Sequence, residues 1–447
     1  MNRRTFLQTA LAAPLAAASR KPNIVLLFAD DLGYGGTGPY GERDFPTPHI
    51  DSMARNGVRF TNGYVSCPVC SPTRAGMMTG RYQQRFGHEL NPGPADLALN
   101  EFGLPLTETT IADRLKSLGY ATGLMGKWHL GYQPEFHPMK RGFHEFFGFL
   151  GGAHSYNDAL ADTANPILRG TERVNEKEYL TDALGREAIS FIDRHKAGPF
   201  FLYLSFNAVH APMQAMEKYT DRFAGIADRN RRIHAGMMAA MDDAIGGVLT
   251  TLQRNKLMED TLIFFISDNG GPTPVNTSRN TPLRGFKGQV YEGGIRVPFL
   301  MQWNGKIRKG SVYEQPAIAL DVLPTAVAAA GGSIDPNWKL DGVDLMPHVT
   351  GKNKKAPHET LYWRFGARSA IRKGNMKLLK EGGEAELYDL AKDVGEQNNL
   401  AATRAEAAAD LQRDFEAWNS QLMAPRWRNP RNDRPQKGRK KAESRFC

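Results

Sequence analysis

The stretch NIVLLFADD, residues 23–31, is an unbroken apolar run that ends in two acids, Asp30 and Asp31. A short continuous run of this kind predicts a strand that is buried on both faces. TLIFFISDN, residues 261–269, repeats the pattern and ends in Asp268 and Asn269. Because parallel sheets place their ligand sites at the carboxyl ends of the strands, we expect the two polar pairs to share one edge of a sheet.

Further apolar runs alternate with segments of helical spacing along the chain. PFFLYLSF at residues 199–206 is typical of another buried strand, and residues 228–254 carry helical periodicity. This alternation predicts an α/β fold over residues 20–350, with a large, mostly parallel or mixed sheet sandwiched between helices. The composition changes near residues 351–359. Residues 355–425 beyond that point are predicted to form a smaller C-terminal subdomain, an antiparallel sheet closed by a helix.

Both ends of the chain differ from this pattern. Residues 1–18 combine Arg3 and Arg4 with an Ala-rich apolar stretch, which predicts a cleaved export signal; the Arg-Arg-x-Phe-Leu order favours twin-arginine over Sec export. We therefore expect the export machinery as a partner and a periplasmic or extracellular location. No apolar run reaches the roughly 18–20 residues that a transmembrane segment needs.

The net charge of +10 comes mostly from residues 426–447, which hold nine Lys or Arg and two acids. Such a segment is typical of a disordered, solvated tail. The alternative is weak attachment to polyanions such as sulfated glycans. Because the excess charge is confined to this segment, no nucleic-acid partner is expected.

The polar ends of the two predicted strands form a set of hard oxygen ligands. Asp30, Asp31 and Asp268 supply carboxylates, and Asn269 supplies an amide carbonyl. This chemistry suits Ca²⁺ or Mg²⁺ and not a soft metal. Either pair alone could equally begin a turn. Their occurrence at the ends of two apolar strands favours a metal site.

The cysteines raise a separate question. Cys67 and Cys70 have the Cys-x-x-Cys spacing, which by itself allows a redox pair; a zinc site would need further ligands that the flanks lack. Cys70 also opens CSPTRAGMMTGR, residues 70–81, where Pro72 predicts the first turn of a helix. A helix N-terminus lowers a thiol pKa, and Arg74 would follow within one turn, so attack on an anionic ester is one interpretation. The other is a buried, inert cysteine.

CSPTRAGMMTGR resembles the Cys-x-Pro-x-Arg…Thr-Gly-Arg signature of the formylglycine-dependent sulfatases, in the arylsulfatase and N-acetylgalactosamine-sulfatase branch of the alkaline-phosphatase superfamily. Other segments resemble that family in the same order: NIVLLFADDLGYGG, GLMGKWHLG, SDNGG, FKGQVYEGGIRVP and AELYDLAKDVGEQNNLA. The resemblance covers nearly the whole chain after the export signal and implies a catalytic domain over residues 20–350.

The resemblance implies a mechanism and its cofactors. A separate maturation enzyme would oxidise Cys70 to Cα-formylglycine, whose hydrated form attacks sulfur with one hydroxyl and expels sulfate with the other. Ca²⁺, in preference to Mg²⁺, would be bound by Asp30, Asp31, Asp268, Asn269 and the modified Cys70. The remaining implied roles are Arg74 supporting the formylglycine, Lys127 and His129 flanking nucleophile and sulfate, His210 as general acid, Lys287 holding sulfate, and Ser155 touching sulfate.

Two other functions stay open at this point. A phosphoesterase or phosphonate hydrolase of the same superfamily would share the metal site and the sheet. A sulfated-glycan-binding protein would result if Cys70 were never modified. For the sulfatase, the expected substrate is a sulfated carbohydrate or an aryl sulfate, with the sugar and the sulfate position undetermined. Cys67 matches no catalytic position and is expected to be structural.

Overall fold

The strand β1 lies at the centre of the fold, and both of its faces are buried. The computed structural model describes residues 20–93, 101–160 and 162–428, so the predicted export signal and residues 429–447 of the predicted tail lie outside the described residues. Alternate side chains of β1 enter two separate apolar clusters, one on each face of the sheet: Ile24, Leu26 and Phe28 in the first, and Val25, Leu27 and Ala29 in the second. Helices must therefore cover both faces, as the apolar run predicts.

Within the described residues, the main sheet contains ten strands in the order β11-β2-β10-β9-β1-β8-β4-β5-β6-β7. The five strands from β9 to β5 are parallel, whereas β10 runs antiparallel to both of its neighbours. The strand bounds are β1 Asn23–Ala29, β2 Val58–Phe60, β3 Gly63–Tyr64, β4 Ala121–Lys127, β5 Glu145–Phe149, β6 Leu168–Arg169, β7 Glu172–Arg173, β8 Phe200–Ser205, β9 Thr261–Ser267, β10 Phe299–Gln302, β11 Ser311–Tyr313, β12 Ala317–Ile318, β13 Thr360–Phe365, β14 Arg368–Lys373, β15 Met376–Lys380 and β16 Glu386–Asp389.

Helices pack on both faces of this sheet. α1, α4 and α6 contact one another or the sheet on the side of the second apolar cluster, and α2, α3 and α9 lie on the side of the first. The helix bounds are α1 Pro48–Asn56, α2 Cys70–Thr79, α3 Ile111–Ser117, α4 Leu180–His195, α5 Glu217–Thr220, α6 Arg229–Arg254, α7 Thr273–Asn276, α8 Glu292–Ile295, α9 Val322–Ala329, α10 Met346–Val349 and α11 Ala405–Asn419. The predicted α/β sandwich is confirmed.

A separate antiparallel sheet, β13-β14-β15-β16, follows the main sheet in the chain. The helix α11 covers it with Leu411, Phe415 and Trp418, so the predicted small sheet with a closing helix is confirmed. Trp427 is also buried: it stacks on Phe102, and its indole N–H donates to the carbonyl of Asn91 at 3.2 Å. The packed part of the chain therefore extends beyond the predicted boundary at residue 425.

In the ranges that the structure describes, no helix has both the length and the apolar character that a membrane crossing requires.

The start of α1 depends on a side chain from a distant helix. The carboxylate of Asp242, in α6, accepts hydrogen bonds from the backbone N–H of His49 at 3.0 Å and of Ile50 at 2.9 Å. Asp242 is buried, so no water could replace it as a partner for these N–H groups. This one contact joins the first helix to the longest helix on the same face of the sheet.

We expect Asp242→Ala to lower the free energy of unfolding by about 1–3 kcal/mol, because it leaves two buried helix N–H groups without an acceptor. Urea unfolding measures this loss. The neighbour Asp243 is the matched control, because its side chain is 39% exposed and paired with Arg222, and such pairs contribute at most about 1 kcal/mol. Equal losses in the two variants would contradict a capping role for Asp242.

Candidate active site

Strand register brings the two predicted acid-ended strands to one edge of the sheet. β1 pairs in parallel with β9, and Ala29 lies opposite Ser267, so Asp30 and Asp268 leave the sheet side by side. The backbone N–H of Asp31 donates to Asp268 Oδ1 at 3.1 Å and closes the pair. The prediction that these acids share an edge is confirmed.

The helix α2 begins at Cys70 with Pro72 in its first turn, as predicted. It ends before Gly80, whose φ of 68° is the left-handed conformation that terminates helices, and the Gly80 N–H donates to the carbonyl of Gly76 at 2.8 Å. The end of the helix therefore accounts for the Thr79-Gly80 pair in the signature. Cys70 Sγ lies 3.6 Å from Asp30 Oδ1, so the helix delivers its first side chain to the acid cluster.

The predicted low thiol pKa at this helix N-terminus is wrong. Burial, followed by the negative charge of Asp268, raises the pKa of the Cys70 thiol far above its ordinary value. The helix dipole is a modest effect, whereas complete removal from water strongly disfavours a thiolate. Cys67 is also buried, and both are free cysteines. An unmodified Cys70 is therefore a poor nucleophile here.

Arg74 connects the elements around the site. Its guanidinium is fully buried, donating to Asp268 Oδ2 from Nε at 3.1 Å and from Nη2 at 2.8 Å. Nη1 donates to Ser205 Oγ at 2.7 Å and to the Lys127 carbonyl at 3.3 Å. One arginine thereby fixes α2 against the ends of β9, β8 and β4.

Two lysines pair with the acids that follow β1. Lys127 Nζ, at the end of β4, lies 2.5 Å from Asp30 Oδ2, and Lys287 Nζ lies 2.7 Å from Asp31 Oδ1. Burial alone would raise the pKa of Asp31, but Lys287 and His210 overcome this and hold it below its ordinary value. For Asp268, burial and the charge of Asp30 outweigh Arg74 and raise the pKa. Three buried carboxylates thus share this edge of the sheet with two lysines and Arg74.

The donor set fits a divalent cation. Ligand atoms of Asp30, Asp31, Cys70 and His210 all lie within 4.8 Å of one another, and all four side chains are buried. The amide of Asn269 donates to Asp31 Oδ1 at 2.7 Å, while its own buried Oδ1 has no hydrogen-bond partner among the described residues. An orphaned amide oxygen beside buried carboxylates is the chemistry that a hard cation such as Ca²⁺ satisfies. The cluster contains three of the predicted metal residues, Asp30, Asp31 and Cys70, and adds His210, which was predicted as an acid and not as a ligand.

The predicted histidines lie at the same site. His210 Nδ1 is 2.6 Å from the carbonyl of Ala211, which can only accept, so Nδ1 carries a proton and Nε2 faces Asp31 Oδ2 at 3.6 Å. His129 has a φ of 59°, and its carbonyl accepts the Ser71 hydroxyl at 2.6 Å. A Cβ on Gly152 would lie 2.6 Å from His129 Nε2, so this glycine leaves room for the imidazole.

Of the predicted site residues, Ser155 has the least direct contact with the acid cluster. Its hydroxyl donates to Gln214 Oε1 at 3.1 Å and accepts the Asp158 N–H at 3.2 Å. The next residue, Tyr156, donates its hydroxyl to the carbonyl of His210 at 2.8 Å. Ser155 therefore reaches the cluster through its neighbour and not through a contact of its own hydroxyl.

Sequence reasoning missed two polar residues that build the site. Ser205 Oγ donates to the carbonyl of Lys127 at 2.7 Å and accepts from Arg74; its position at the end of β8 was an available signal. Asn276 Nδ2 donates to the carbonyls of Asp31 at 3.2 Å and Val209 at 3.0 Å. Its position in a short loop helix gave no signal.

Comparisons with known proteins agree with this geometry. The family model described as Sulfatase matches residues 22–333, and one described as N-sulphoglucosamine sulphohydrolase, C-terminal, matches residues 286–421. Arylsulfatase A of Bos taurus is 38% identical over 384 residues, covering 80% of this chain and 73% of the relative. N-acetylgalactosamine-6-sulfatase of Canis lupus familiaris is 34% identical over 383 residues, covering 81% and 72%.

Solved structures are similar over most of the chain. The crystal structure of Ps i-CgsB in complex with k-i-k-neocarrahexaose superposes with a TM-score of 0.87 at 36% identity, covering 91% of this chain and 95% of that one. A phosphonate monoester hydrolase of Agrobacterium radiobacter, at 21% identity and a TM-score of 0.64, shares the fold alone. With the family model spanning most of its length, the chain belongs to the sulfatase family of sulfuric ester hydrolases.

Proposed function

We propose that this sulfatase hydrolyses sulfate monoesters of a carbohydrate at Cys70, after conversion of that residue to Cα-formylglycine, and with Ca²⁺ bound beside it. One observation carries the proposal. The Cys70 Sγ shares a buried cluster with Asp30, Asp31 and His210, and Lys127 and Lys287 pair with the two aspartates of that cluster. A nucleophile position, a metal site and two cations thus meet at one sheet edge.

The unmodified thiol is unsuited to the reaction, since burial raises its pKa. Formylglycine would supply two hydroxyls after hydration, one to attack sulfur and one to release sulfate as the aldehyde re-forms. Arg74 would hold residue 70 in place through its bonds to Asp268 and Ser205, because it lies one helical turn further along α2. Its cation also favours negative charge that develops at that residue.

Lys127 and Lys287 would bind the sulfate. Each ammonium is almost fully buried and touches an aspartate of the metal cluster, so an anion beside Cys70 would lie within reach of both. Charge-assisted hydrogen bonds in such a dry site are stronger than in water. His129, whose ring lies against Gly152, would line the same space, and Ser155 would contact the substrate at its margin.

His210 would protonate the departing alcohol. Its Nδ1 is occupied by the carbonyl of Ala211, so Nε2 is the nitrogen that is free to exchange a proton on the side of Asp31. Burial lowers the pKa of His210, and the nearby Asp31 opposes this effect by favouring the protonated ring.

Ca²⁺ would be held by Asp30, Asp31, Asp268, Asn269 and the modified residue 70, where it would polarise a sulfate oxygen and favour ionisation of the nucleophile. The orphaned Oδ1 of Asn269 and the buried cluster of Asp30 and Asp31 support this assignment. An oxygen-only protein set favours Ca²⁺ over softer metals.

The proposed substrate class follows from the relatives and from the expected location. The similar structure holds a neocarrahexaose, and one relative is named for a sulfated amino sugar. An exported enzyme, as residues 1–18 predict, would meet sulfated polysaccharides outside the cytoplasm. Both the export machinery and a maturation enzyme for Cys70 are proposed partners.

The proposal predicts sulfate release from at least one member of a panel of defined sulfated oligosaccharides, together with turnover of a small aryl sulfate. Ion chromatography of released sulfate measures both. Cys70→Ala is the matched control and should release none, because it removes the nucleophile position. Turnover of the aryl sulfate with no release from any sulfated oligosaccharide would refute the carbohydrate assignment.

Active preparations should contain a modified Cys70. We expect the peptide that carries residue 70 to weigh less than its cysteine form and to react with aldehyde reagents in mass spectrometry. Specific activity should rise in proportion to the modified fraction, because burial disfavours the thiolate. A fully active preparation with an intact thiol would contradict the mechanism.

Asp268→Asn should lower turnover by more than about 100-fold, because it removes one of few charged metal ligands while keeping a side chain that can bond to Arg74. Added Ca²⁺ should raise the melting temperature of the wild type, and more Ca²⁺ should be needed in the variant. Asp243→Asn, on the exposed face of α6, serves as the control and should match the wild type. An unchanged response of the melting temperature to Ca²⁺ in Asp268→Asn would show that this residue is not a ligand.

A further inference from the structure

The segment that carries Lys287 is held from outside by the C-terminal sheet. We refer to residues 284–292 as the Lys287 segment; it ends at the first residue of α8 and has little regular structure before that point. Among the described residues, the one ion pair between this segment and the metal cluster joins Lys287 Nζ to Asp31 Oδ1 at 2.7 Å. Its position must therefore be fixed by other contacts.

Glutamates in and beside the C-terminal sheet supply these contacts, two through their side chains and one through its backbone carbonyl. The backbone N–H of Val290 donates to Glu381 Oε2 at 2.8 Å, and the hydroxyl of Tyr291 donates to Glu386 Oε1 at 2.8 Å. Arg284, at the start of the segment, donates to the carbonyl of Glu396 at 2.8 Å. The two ends of the segment are thus bound by one subdomain.

The strongest of these contacts is a buried group of three charged residues. Lys377 Nζ lies 2.8 Å from both Glu292 Oε1 and Glu396 Oε1, and Glu396 Oε2 accepts the backbone N–H of Glu292 at 2.7 Å. All three side chains are fully buried. Removing Lys377 would leave two buried carboxylates without this cation, whereas removing Glu396 leaves the Lys377–Glu292 pair and takes away the acceptor of the Glu292 N–H.

The opposite side of the Lys287 segment contacts the backbone close to Cys70 and Asn269. The N–H of Gly288 donates to the carbonyl of Pro68 at 2.8 Å, two residues before Cys70. A Cβ on Gly270, the residue after Asn269, would lie 1.8 Å from the carbonyl oxygen of Gly293. The segment is therefore packed backbone to backbone between the site and the C-terminal sheet, and a shift on one side moves the other.

We infer that Glu396 is a positioning residue that, through Lys377 and the N–H of Glu292, fixes Lys287 for the reaction. The inference rests on the proposed role of Lys287 in binding sulfate. Loss of the Glu396 carboxylate removes the acceptor of the Glu292 N–H and one partner of Lys377. The Glu292 side chain keeps its bonds to Lys377 and Tyr64, and every group that touches the substrate stays in the chain. Because misplacement by about 1 Å can cost about 100-fold in rate, activity should fall without loss of the fold.

A double-mutant cycle between Glu396→Ala and Lys287→Ala tests this inference. The measurement is kcat/KM for an aryl sulfate, with the melting temperature of each variant. We expect each single variant to lose about 10- to 100-fold, and the double variant to lose no more than Lys287→Ala alone, because Glu396 acts through Lys287. Glu396→Gln keeps one acceptor and should retain more activity than Glu396→Ala. The exposed Glu384→Ala in the same subdomain is the control and should match the wild type.

Each outcome decides the inference. Losses that multiply in the double variant, or normal activity in Glu396→Ala, would overturn it while leaving the proposed sulfate-binding role of Lys287 intact. Normal activity in Lys287→Ala would instead refute that role, and the inference with it. If Glu396→Ala does not fold, Glu396→Gln carries the same cycle, since it loses the charge that pairs with Lys377.

Discussion

Three carboxylates and three cations are buried together at one edge of the central sheet in the described structure, and the rest of the fold serves to bring them there. A buried charge without a partner costs several kcal/mol, so none of these groups could occupy the edge alone. Asp30 requires Lys127 from β4, Asp268 requires Arg74 from α2, and Asp31 requires Lys287 from a distant loop. Strand register, helix start and loop position are therefore all set by the same electrostatic requirement.

Much of the fold could be predicted because its determinants are local. The apolar run of β1 and the two acids at its end span nine residues. Pro72 lies within the first three residues of α2 and marks its first turn. The strand order could not be predicted, since it depends on contacts between distant segments. β10, for example, joins the sheet antiparallel to β9 and β2, and nothing in the residues of these strands specifies that choice.

The site residues also divide into those that the local sequence predicts and those that it does not. Asp30, Asp31, Asp268 and Asn269 could be proposed from the polar ends of two apolar strands. Lys127, His129, His210 and Lys287 needed the family resemblance, because a single polar residue at a strand end or in a loop has no distinctive pattern. Burial was the property that the sequence did not reveal. It reversed the expected thiol pKa of Cys70, and it makes Glu396 important although its residue type is common on surfaces. Both effects arise from neighbours that are distant in the chain.

The burial of Cys70 also limits when this residue could be modified. Its side chain is 1% exposed, at the first position of a helix whose residues are all buried. Under the proposed mechanism, the catalyst that modifies this side chain needs access to it, and the folded chain buries it. Oxidation of Cys70 would therefore have to precede folding, so that each molecule becomes active or inactive once, at its synthesis. The active fraction of a preparation would then record how synthesis and maturation competed, and later supply of the maturation enzyme would not recover the remainder.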